Sequence, residues 1–381
     1  MDANSEPSQP AKQGMSPLVG VKAESDQDTK PPMPLAGTPQ HSAEPTAVST
    51  PEPAVENFFL APRRSGDVII VLTNGSRVRA NSGVLSQLSD MFDEKLEHAL
   101  RDAQGLQLIE FPDDDPEAML MLLRIAHLCN MLDSDDHTVE RTAVKLAKLG
   151  AVAAKYCCTS QAWPAAEARM SNGIIAMSLR NFDAGSTMRV YAQYSAAAYH
   201  LGMDTLFSHY TRRLVLDTTS SFTDIREIEG CSALPVGVIL GLEEQRSALR
   251  EELIATITAR TNGKCQAPGC THSSPSSSFA NHATRRLSIP QWPPPWSSTT
   301  LRHMLRRLLH TGDMNLGHTF PTCLHKNNPT HISQTTVTAI CRSVDKHARG
   351  LCLTCAEDDK SQSRCEHAEK VINDQLKDWI V

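Results

Sequence analysis

The sequence predicts an α+β fold in which a small sheet flanked by helices is followed by an all-helical extension. Three patterns in the chain of 381 residues lead to this prediction. A β-branched apolar run at Asp67–Leu72 precedes an Asn-Gly turn, apolar residues from Val84 onward recur at helical spacing, and long apolar stripes continue to Ile257. We expect a disordered N-terminal region before this fold and a poorly ordered C-terminal tail after it.

The composition narrows the classes of function. The formal net charge of −6 gives the chain no overall attraction to nucleic acid or to an anionic membrane. The sequence has no apolar run long enough to span a bilayer, and its first residues lack the apolar core of a secretory signal. The eleven cysteines are odd in number and irregularly spaced, so we expect thiols or metal ligands rather than a disulfide framework. These features predict an intracellular protein without a membrane partner.

Residues 1–62 are predicted to form a disordered, proline-rich, acidic segment. They contain eleven of the 23 prolines and few apolar residues, so they cannot bury enough apolar surface to offset the entropy lost on ordering. Lys22 lies in the sequence Val21-Lys22-Ala23-Glu24, which resembles an acceptor site for a small ubiquitin-related modifier. Lys22 is therefore a candidate modification site, with chance occurrence in a disordered segment as the alternative.

Order is predicted to begin near Asp67. The run Val68–Leu72 is β-branched and apolar, which is typical of a buried strand. Asn74-Gly75 then predicts a two-residue hairpin turn, and Arg77–Ala80 predicts the returning strand. The next apolar residues have the i, i+3, i+4, i+7 spacing of one amphipathic helix. They are Val84, Leu85, Leu88, Met91, Phe92 and Leu96.

A third strand and a largely helical region follow. The strand is predicted at Leu106–Phe111, and Asp113-Asp114-Asp115-Pro116 is predicted to start the next helix. Carboxylates are favoured at the positive end of the helix dipole, and proline is tolerated in the first turn. Three longer helical stretches are predicted at Val139–Tyr156, Val190–Leu216 and Pro235–Ile257.

The residues of the predicted sheet and first helix resemble the opening of a BTB/POZ domain. That family has an Asp before a β run, then Phe-x-Ala-His, Val-Leu and Ser-x-x-Phe. The matching residues here are Asp67-Val68-Ile69-Ile70-Val71, Gly75, Ala80, Val84-Leu85, Ser89 and Phe92. Lys145-Leu146-Ala147 through Lys155-Tyr156, Trp163-Pro164, Arg213–Thr218 and Leu234-Pro235 resemble the helical extension of a fungal group of these proteins. The resemblance implies a BTB/POZ-like domain at 63–158 and a helical extension at 159–262.

The resemblance also implies protein partners. A BTB/POZ-like domain typically forms a homodimer or heterodimer, and its interface here would include Val84, Leu85, Leu88 and Met91. At least two of these four side chains are expected to lie in the core of the subunit instead. Family members that serve as substrate adaptors for cullin-type ubiquitin ligases carry a hydrophobic-x-acid motif. Leu100 and Asp102 lie near the matching place.

The chain departs from the family at a charged pocket near the dimer axis. In many members the Asp at the position of Asp67 faces a basic residue, but Ser82 stands at that position here, and Asn81 replaces the usual His. Asp67 has therefore lost its expected partner. A buried carboxylate needs a positive or hydrogen-bonding partner to stay ionised, and Arg77 or Arg79 is the candidate for this role.

Residues 263–381 are predicted to form a basic tail that contains a Ser/Pro-rich linker at 273–300. Two cysteines separated by two residues can hold one zinc ion, so Cys352, Cys355, Cys365 and His367 form a candidate structural zinc site. A second, sparser set comprises Cys265, Cys270 and His272 with Cys323 or His325. The alternative for both sets is ordinary thiols in a loose tail, with no cofactor bound. Ser288 follows Arg285-Arg286-Leu287, a pattern typical of a basophilic kinase site.

The leading functional hypothesis is a non-enzymatic oligomerisation scaffold. The sequence lacks the nucleophile, phosphate-binding, dinucleotide-binding and metalloprotease motifs. The first alternative is a cullin adaptor. The second is a chromatin-linked scaffold whose zinc-stabilised tail contacts nucleic acid through Arg302, Arg306 and Arg307. Nucleic acid is the less expected partner because stacking aromatic residues are few in the tail.

Overall fold

A computed structural model describes residues 57–60, 66–129, 138–179, 184–261, 291, 293–310, 314–315, 331–332 and 334–357. The predicted disorder of residues 1–56 and the modification sites Lys22 and Ser288 lie outside these residues. So do Cys365, His367 and the second cysteine–histidine set. Within the described ranges, no helix is both long and apolar enough to cross a membrane.

The N-terminal part of the fold is a mixed five-stranded sheet with helices on one face. Its strands are β1 (Asn57–Phe59), β2 (Val68–Leu72), β3 (Arg77–Ala80), β4 (Leu100–Arg101) and β5 (Gln107–Phe111). They lie in the order β1-β3-β2-β5-β4. β2 is antiparallel to β3 and parallel to β5, β1 is parallel to β3, and β4 is antiparallel to β5. The helices are α1 (Ser82–Leu88), α2 (Asp90–Glu97), α3 (Pro116–Ala126) and α4 (Val139–Lys155). This arrangement confirms the predicted α+β class.

Burial alternates along the strands, so one face of the sheet packs on the core. In the central strand β2, Val68, Ile70 and Leu72 are buried, while Ile69 and Val71 between them are only half-buried. Successive strand residues point to opposite faces. The helices therefore cover the face that carries Val68, and we call the other one the open face.

The hairpin turn is one residue longer than predicted. The Gly75 N–H donates to the Leu72 carbonyl and the Leu72 N–H donates to the Ser76 carbonyl, so Thr73, Asn74 and Gly75 form a three-residue loop. Gly75 has a φ of 79°, in the left-handed region. A type I turn followed by a left-handed glycine is the common way to close a three-residue hairpin loop. Asn74 supports it by accepting a hydrogen bond from the Ser76 N–H.

The single helix predicted from Val84 to Leu96 is in fact two helices. Ser89 adopts an extended conformation between α1 and α2, with a φ of −168°, and its hydroxyl accepts a hydrogen bond from the Phe92 N–H. Serine is one of the residues preferred at the N-cap of a helix. The apolar spacing continues across the break because both helices bury residues in the same core, and it therefore concealed the break.

Two short strands were not predicted. β1 lies within the segment predicted to be disordered, so order begins earlier than Asp67. β4 has only two residues. Strands this short carry too few positions to show an alternating pattern, and both occupy edges of the sheet, where burial is weakest. Their pairing depends on the partner strands β3 and β5.

The helical extension shares a core with the sheet domain. It contains α5 (Thr159–Leu179), α6 (Ala184–His200), α7 (Asp204–Asp217), a 3₁₀ helix at Phe222–Glu227 and α8 (Val236–Thr261). α4 and α6 pack closely at Gly150, where an added Cβ would lie 3.2 Å from the main chain of Ala197. Tyr194 of α6 stacks on Tyr210 of α7 with ring centroids 4.8 Å apart. Buried side chains run without interruption from β2 into α8.

Parts of the predicted tail fold onto this extension. α9 (Leu301–His310), α10 (Gln334–His347) and α11 (Leu353–Glu357) follow α8 among the described residues, together with a two-stranded ribbon of β6 (Met314–Asn315) and β7 (His331–Ile332). Leu301, Met304 and Leu308 of α9 are buried. At the end of the predicted linker, Arg250 of α8 lies over the Trp296 ring, 5.1 Å from its centroid. Among the described residues, the predicted tail therefore contains three helices that pack with the helical extension, and the bounds predicted for the linker stay a prediction.

A short main-chain segment fastens the C-terminal helices to α7. The Ser208 hydroxyl donates to the Arg349 carbonyl at 2.7 Å, and the Leu351 N–H donates to the Thr211 hydroxyl at 2.8 Å. Gly350 between them has a φ of 77°, and a Cβ on it would lie 1.9 Å from the Ser208 carbonyl oxygen. A side chain other than hydrogen cannot fit there. We call residues 349–351 the clasp.

Replacing Gly350 with alanine should therefore detach the clasp. Gly75→Ala is a matched control, because Gly75 has nearly the same φ and has no atom within 4 Å of an added Cβ. We expect Gly75→Ala to lower the free energy of unfolding by about 1 kcal/mol, the cost of the left-handed backbone alone. Gly350→Ala should cost roughly 3 kcal/mol or more, because the main-chain clash is added. Hydrogen–deuterium exchange of residues 334–357 should rise only in Gly350→Ala. Equal behaviour of the two variants would contradict the docking.

Candidate functional site

The first site predicted from sequence lies where the chain enters β2. The Asp67 carboxylate accepts hydrogen bonds from the Ser82 N–H at 2.8 Å and the Ser82 hydroxyl at 2.5 Å. The slight burial of Asp67 opposes its ionisation, but the hydrogen bonds from Ser82 outweigh this effect and hold the pKa of the carboxyl below its usual value. Ser82 is therefore the partner that takes the place of the family's basic residue.

Neither arginine proposed as a partner of Asp67 contributes to its lowered pKa, to which the charge of Arg101 adds after the hydrogen bonds. Arg79 donates from Nε to the Gly66 carbonyl at 2.9 Å, and Asp67 itself is exposed rather than buried. The prediction that Arg77 or Arg79 neutralises a buried Asp67 was wrong on both points. A carboxylate at the surface of the subunit does not need a cation, because water and two hydrogen bonds from Ser82 stabilise it.

Asn81, at the position of the family's histidine, holds α1 in place. Its side-chain oxygen accepts a hydrogen bond from the Val84 N–H and caps the helix. Its own N–H donates to Nε2 of His127 at 3.1 Å, while Nδ1 of His127 lies 2.9 Å from the Leu123 carbonyl. Since Nε2 accepts a hydrogen bond here, Nδ1 must carry the ring proton and donate it to the Leu123 carbonyl. The start of α1 is thus tied to the end of α3.

The second site, a cluster of hydrogen bonds around Asp114, was not predicted from the sequence. Asp114 is only 7% exposed and accepts hydrogen bonds from Lys155 Nζ at 2.7 Å and from the Tyr156 hydroxyl at 2.6 Å. Its carbonyl accepts a third hydrogen bond, from the Thr73 hydroxyl at 2.6 Å. Burial, and then the neighbouring Asp114 charge, raise the pKa of Tyr156, so its phenol stays protonated and donates. We call this arrangement the Asp114 junction.

Aromatic rings complete the junction. Tyr156 packs against Phe92 of α2 and Phe111 of β5, with centroids 5.3 and 5.4 Å away. The acidic run before α3 was interpreted as helix capping, and Asp115 does cap α3, accepting from the N–H groups of Glu117 and Ala118. Asp114 does something else: it joins the hairpin turn to the end of α4. The sequence signal was the pair Lys155-Tyr156, which carried the family resemblance without showing its partner.

The four predicted dimer-interface residues fall into two groups. Leu85 and Leu88 are buried in the core of the subunit, so their side chains cannot reach a second copy without unfolding α1. Val84 is half-buried, and Met91 is exposed. The expectation that at least two of the four belong to the core agrees with this placement, and only Val84 and Met91 remain as interface candidates.

The predicted cullin-contact residues lie on the edge strand β4 and in the turn after it. Leu100 is 77% exposed and borders an open groove of about 530 Å³ between α2 and strands β4 and β5, together with Met91 and Leu108. The Asp102 carboxylate instead accepts hydrogen bonds from the N–H groups of Gln104 and Leu106. Asp102 therefore shapes the turn, and its carboxylate is already engaged within the subunit.

Of the four predicted zinc ligands, only Cys352 and Cys355 are among the described residues. Cys355 is buried in α11 and Cys352 is half-buried just before it. The described residues contain no group of three or more potential ligands that could hold a metal ion. The zinc site therefore stays a prediction. Elsewhere, burial raises the pKa of Cys158 to about 11, which keeps this thiol protonated and unreactive near neutral pH.

These features define the class of protein. A small sheet with one open face, exposed apolar side chains at its edges and a rigid helical support make a protein-interaction module. The family model of the BTB/POZ domain matches residues 59–159, from the end of β1 to the start of α5. This part of the chain is a BTB/POZ domain, as the sequence resemblance indicated. No curated protein and no solved structure matches the chain. Its fungal subgroup and the extent of its extension stay predictions.

Removal of the Asp114 carboxylate should destabilise the whole domain. Asp114→Ala leaves the Tyr156 hydroxyl buried without its acceptor, which we expect to cost roughly 2–3 kcal/mol of unfolding free energy. The matched control is Asp113→Ala, because Asp113 is exposed one position earlier and its removal should change stability by less than about 0.5 kcal/mol. Urea denaturation followed by circular dichroism measures both. Similar losses in the two variants would show that Asp114 acts only through its charge near α3.

Proposed function

We propose that the chain is a non-enzymatic scaffold that associates with itself through its BTB/POZ domain. The observation that carries the proposal is the exposure of large apolar side chains at both edges of the sheet. Phe59 of β1 is 53% exposed and Leu100 of β4 is 77% exposed. Edge strands with exposed apolar residues are poised to pair with another protein surface, and burying them there is favourable.

The helical extension supports this role by holding the sheet rigid. The Asp114 junction binds the hairpin to the end of α4, and α4 packs closely on α6. The clasp in turn fixes the C-terminal helices on α7. A rigid subunit loses little conformational entropy when it associates, so more of the contact energy appears as affinity.

Light scattering on the full chain tests self-association. We expect the mass to rise from 41.7 kDa toward twice that value as the protein concentration increases. The same measurement on Met91→Asp tests the interface predicted from sequence, because Met91 is the exposed residue of that interface. A mass that remains that of one chain at every concentration would reject self-association, and would leave a scaffold that binds only other proteins.

A cullin adaptor is the second candidate function, and the groove beside Leu100 favours it. The lining of the groove combines apolar Met91, Leu100 and Leu108 with charged Glu94, Lys95 and Glu110. Apolar side chains with polar neighbours suit contact with an apolar side chain of a partner. The acidic half of the motif gains no support, because the Asp102 carboxylate is engaged in its own turn.

A pull-down with a cullin separates the two halves of the motif. We expect Leu100→Ala to abolish capture, since Leu100 supplies exposed apolar area, and Asp102→Asn to retain it. An amide at residue 102 can still accept hydrogen bonds in the turn. If the full chain captures no cullin, the adaptor function is rejected. If Asp102→Asn alone abolishes capture, the acid contacts the partner directly and the account of the turn is wrong.

The described part of the tail offers little to nucleic acid. Arg302 of α9 is paired with Asp217 of α7, which also binds Arg213 at 3.1 Å. Arg307 donates to His303 on its own helix. Two of the three arginines proposed to contact phosphates therefore have partners within the protein. The chromatin-linked alternative would have to rely on Arg306 and on residues outside this set.

A further inference from the structure

The open face of the sheet carries an ordered pattern of side chains. Strand register places directly paired residues on the same face. One row crosses all five strands, and a second row crosses four of them. The first row is Phe59, Arg79, Ile69, Leu108 and Leu100, and the second is Asn57, Arg77, Val71 and Glu110.

The charges in the second row are asymmetric about the central strand. Arg77 lies on β3, on one side of β2, and Glu110 lies on β5, on the other side. Both side chains are exposed, and within the described part of the chain neither forms an ion pair. Val71 separates them, in register with both residues. The face therefore has a positive half and a negative half with an apolar centre.

Symmetry decides how two such faces can meet. Two identical sheets pack face to face about a two-fold axis that lies between them. With the axis along the strands, β3 of one copy lies over β5 of the other. With the axis across the strands, β3 lies over β3, and the arginines of the two copies oppose each other. Only the first arrangement sets Arg77 opposite Glu110 of the second copy, and it does so twice.

We propose that the open face is the self-association surface, and that a second copy of this chain packs on it with the two-fold axis along β2. The same rotation puts Phe59 of β1 over Leu100 of the second copy's β4. Ile69 and Val71 meet their own counterparts at the axis. The most exposed apolar residues of both sheet edges are thereby buried in one contact, and Arg77 and Glu110 find partners. Arg79 would lie over Leu108 of the second copy, where its guanidinium can keep its hydrogen bond to the Gly66 carbonyl. The inference rests on the proposed self-association and names its surface.

The size of the face sets the strength of the contact. The five strands lie about 4.8 Å apart, and the two longest, β2 and β5, reach about 16 Å, so the patch measures at most roughly 20 by 16 Å. This is less than the ~800 Å² per partner of a standard stable complex. We therefore expect a reversible dimer with a dissociation constant in the micromolar range.

Charge exchange at two exposed positions tests the surface. In Arg77→Glu, two pairs of glutamates face each other across the axis, and in Glu110→Arg, two pairs of arginines do. Each variant alone should therefore dimerise at least about tenfold more weakly than the original chain. In a mixture of the two variants, each copy of one should pair with a copy of the other, because both contacts are then between opposite charges. Arg141→Glu, at an exposed position on α4, is the control and should leave association unchanged.

The readout is sedimentation of the full-length chains, alone and mixed, with each variant labelled by a different fluorophore. Weak self-association of both variants and recovery on mixing would support the proposal. If the original chain dimerises but the variants dimerise equally well, or if mixing restores nothing, the open face is not the surface and the scaffold function stands. If the original chain stays monomeric at all concentrations, both the surface and self-association are rejected. Circular dichroism of each variant confirms that loss of association is not loss of fold.

Discussion

The packing of the sheet domain against α4, and through α4 against the helical extension, depends on the carboxylate of Asp114. It sits at the end of β5 and the start of α3, yet both of its side-chain partners, Lys155 and Tyr156, come from the end of α4. A nearly buried carboxylate is unfavourable unless its lone pairs are satisfied. The sheet can therefore reach its native packing only when α4 is in place, and the position of α4 is coupled to the hairpin through the Thr73 hydroxyl.

The same coupling continues into the helical extension. α4 carries Gly150 at its contact with Ala197, so small residues allow α4 and α6 to approach closely. α7 then receives the clasp, where Gly350 is required by both its φ and the proximity of Ser208. The protein thus presents a sheet supported from one side by successive layers of helices. The surfaces left for partners are the open face, its edges and the groove beside Leu100.

Much of this fold could be predicted from sequence, where the pattern was local. The β-branched run of β2, the position of the hairpin turn though not its length, and the apolar stripe of α4 follow from periodicity and turn chemistry. The break at Ser89 was hidden because apolar spacing persists across it, while a single hydroxyl decides where one helix ends and the next begins. β1 and β4 were too short to show any pattern.

The site was harder to predict than the fold, for a different reason. Asp114 and Tyr156 are 42 residues apart, and Ser208 and Arg349 are 141 apart. Contacts over such separations leave no periodic signal in one sequence. Likewise, Arg77 and Glu110 become related only through strand register. Ser82 was interpreted as the loss of a partner for Asp67, because a short hydroxyl does not resemble the cation that it replaces.

Native-state hydrogen exchange tests most directly whether the sheet domain and the helical extension form one cooperative unit. Amides of Ile70 in β2 and Tyr194 in α6, both fully buried, would be followed as urea is added at concentrations below the unfolding transition. The account predicts that the two amides open with the same free energy and the same dependence on urea, because the Asp114 junction and α4 couple them. Separate opening free energies, with the helical amides exchanging while the sheet stays protected, would contradict it.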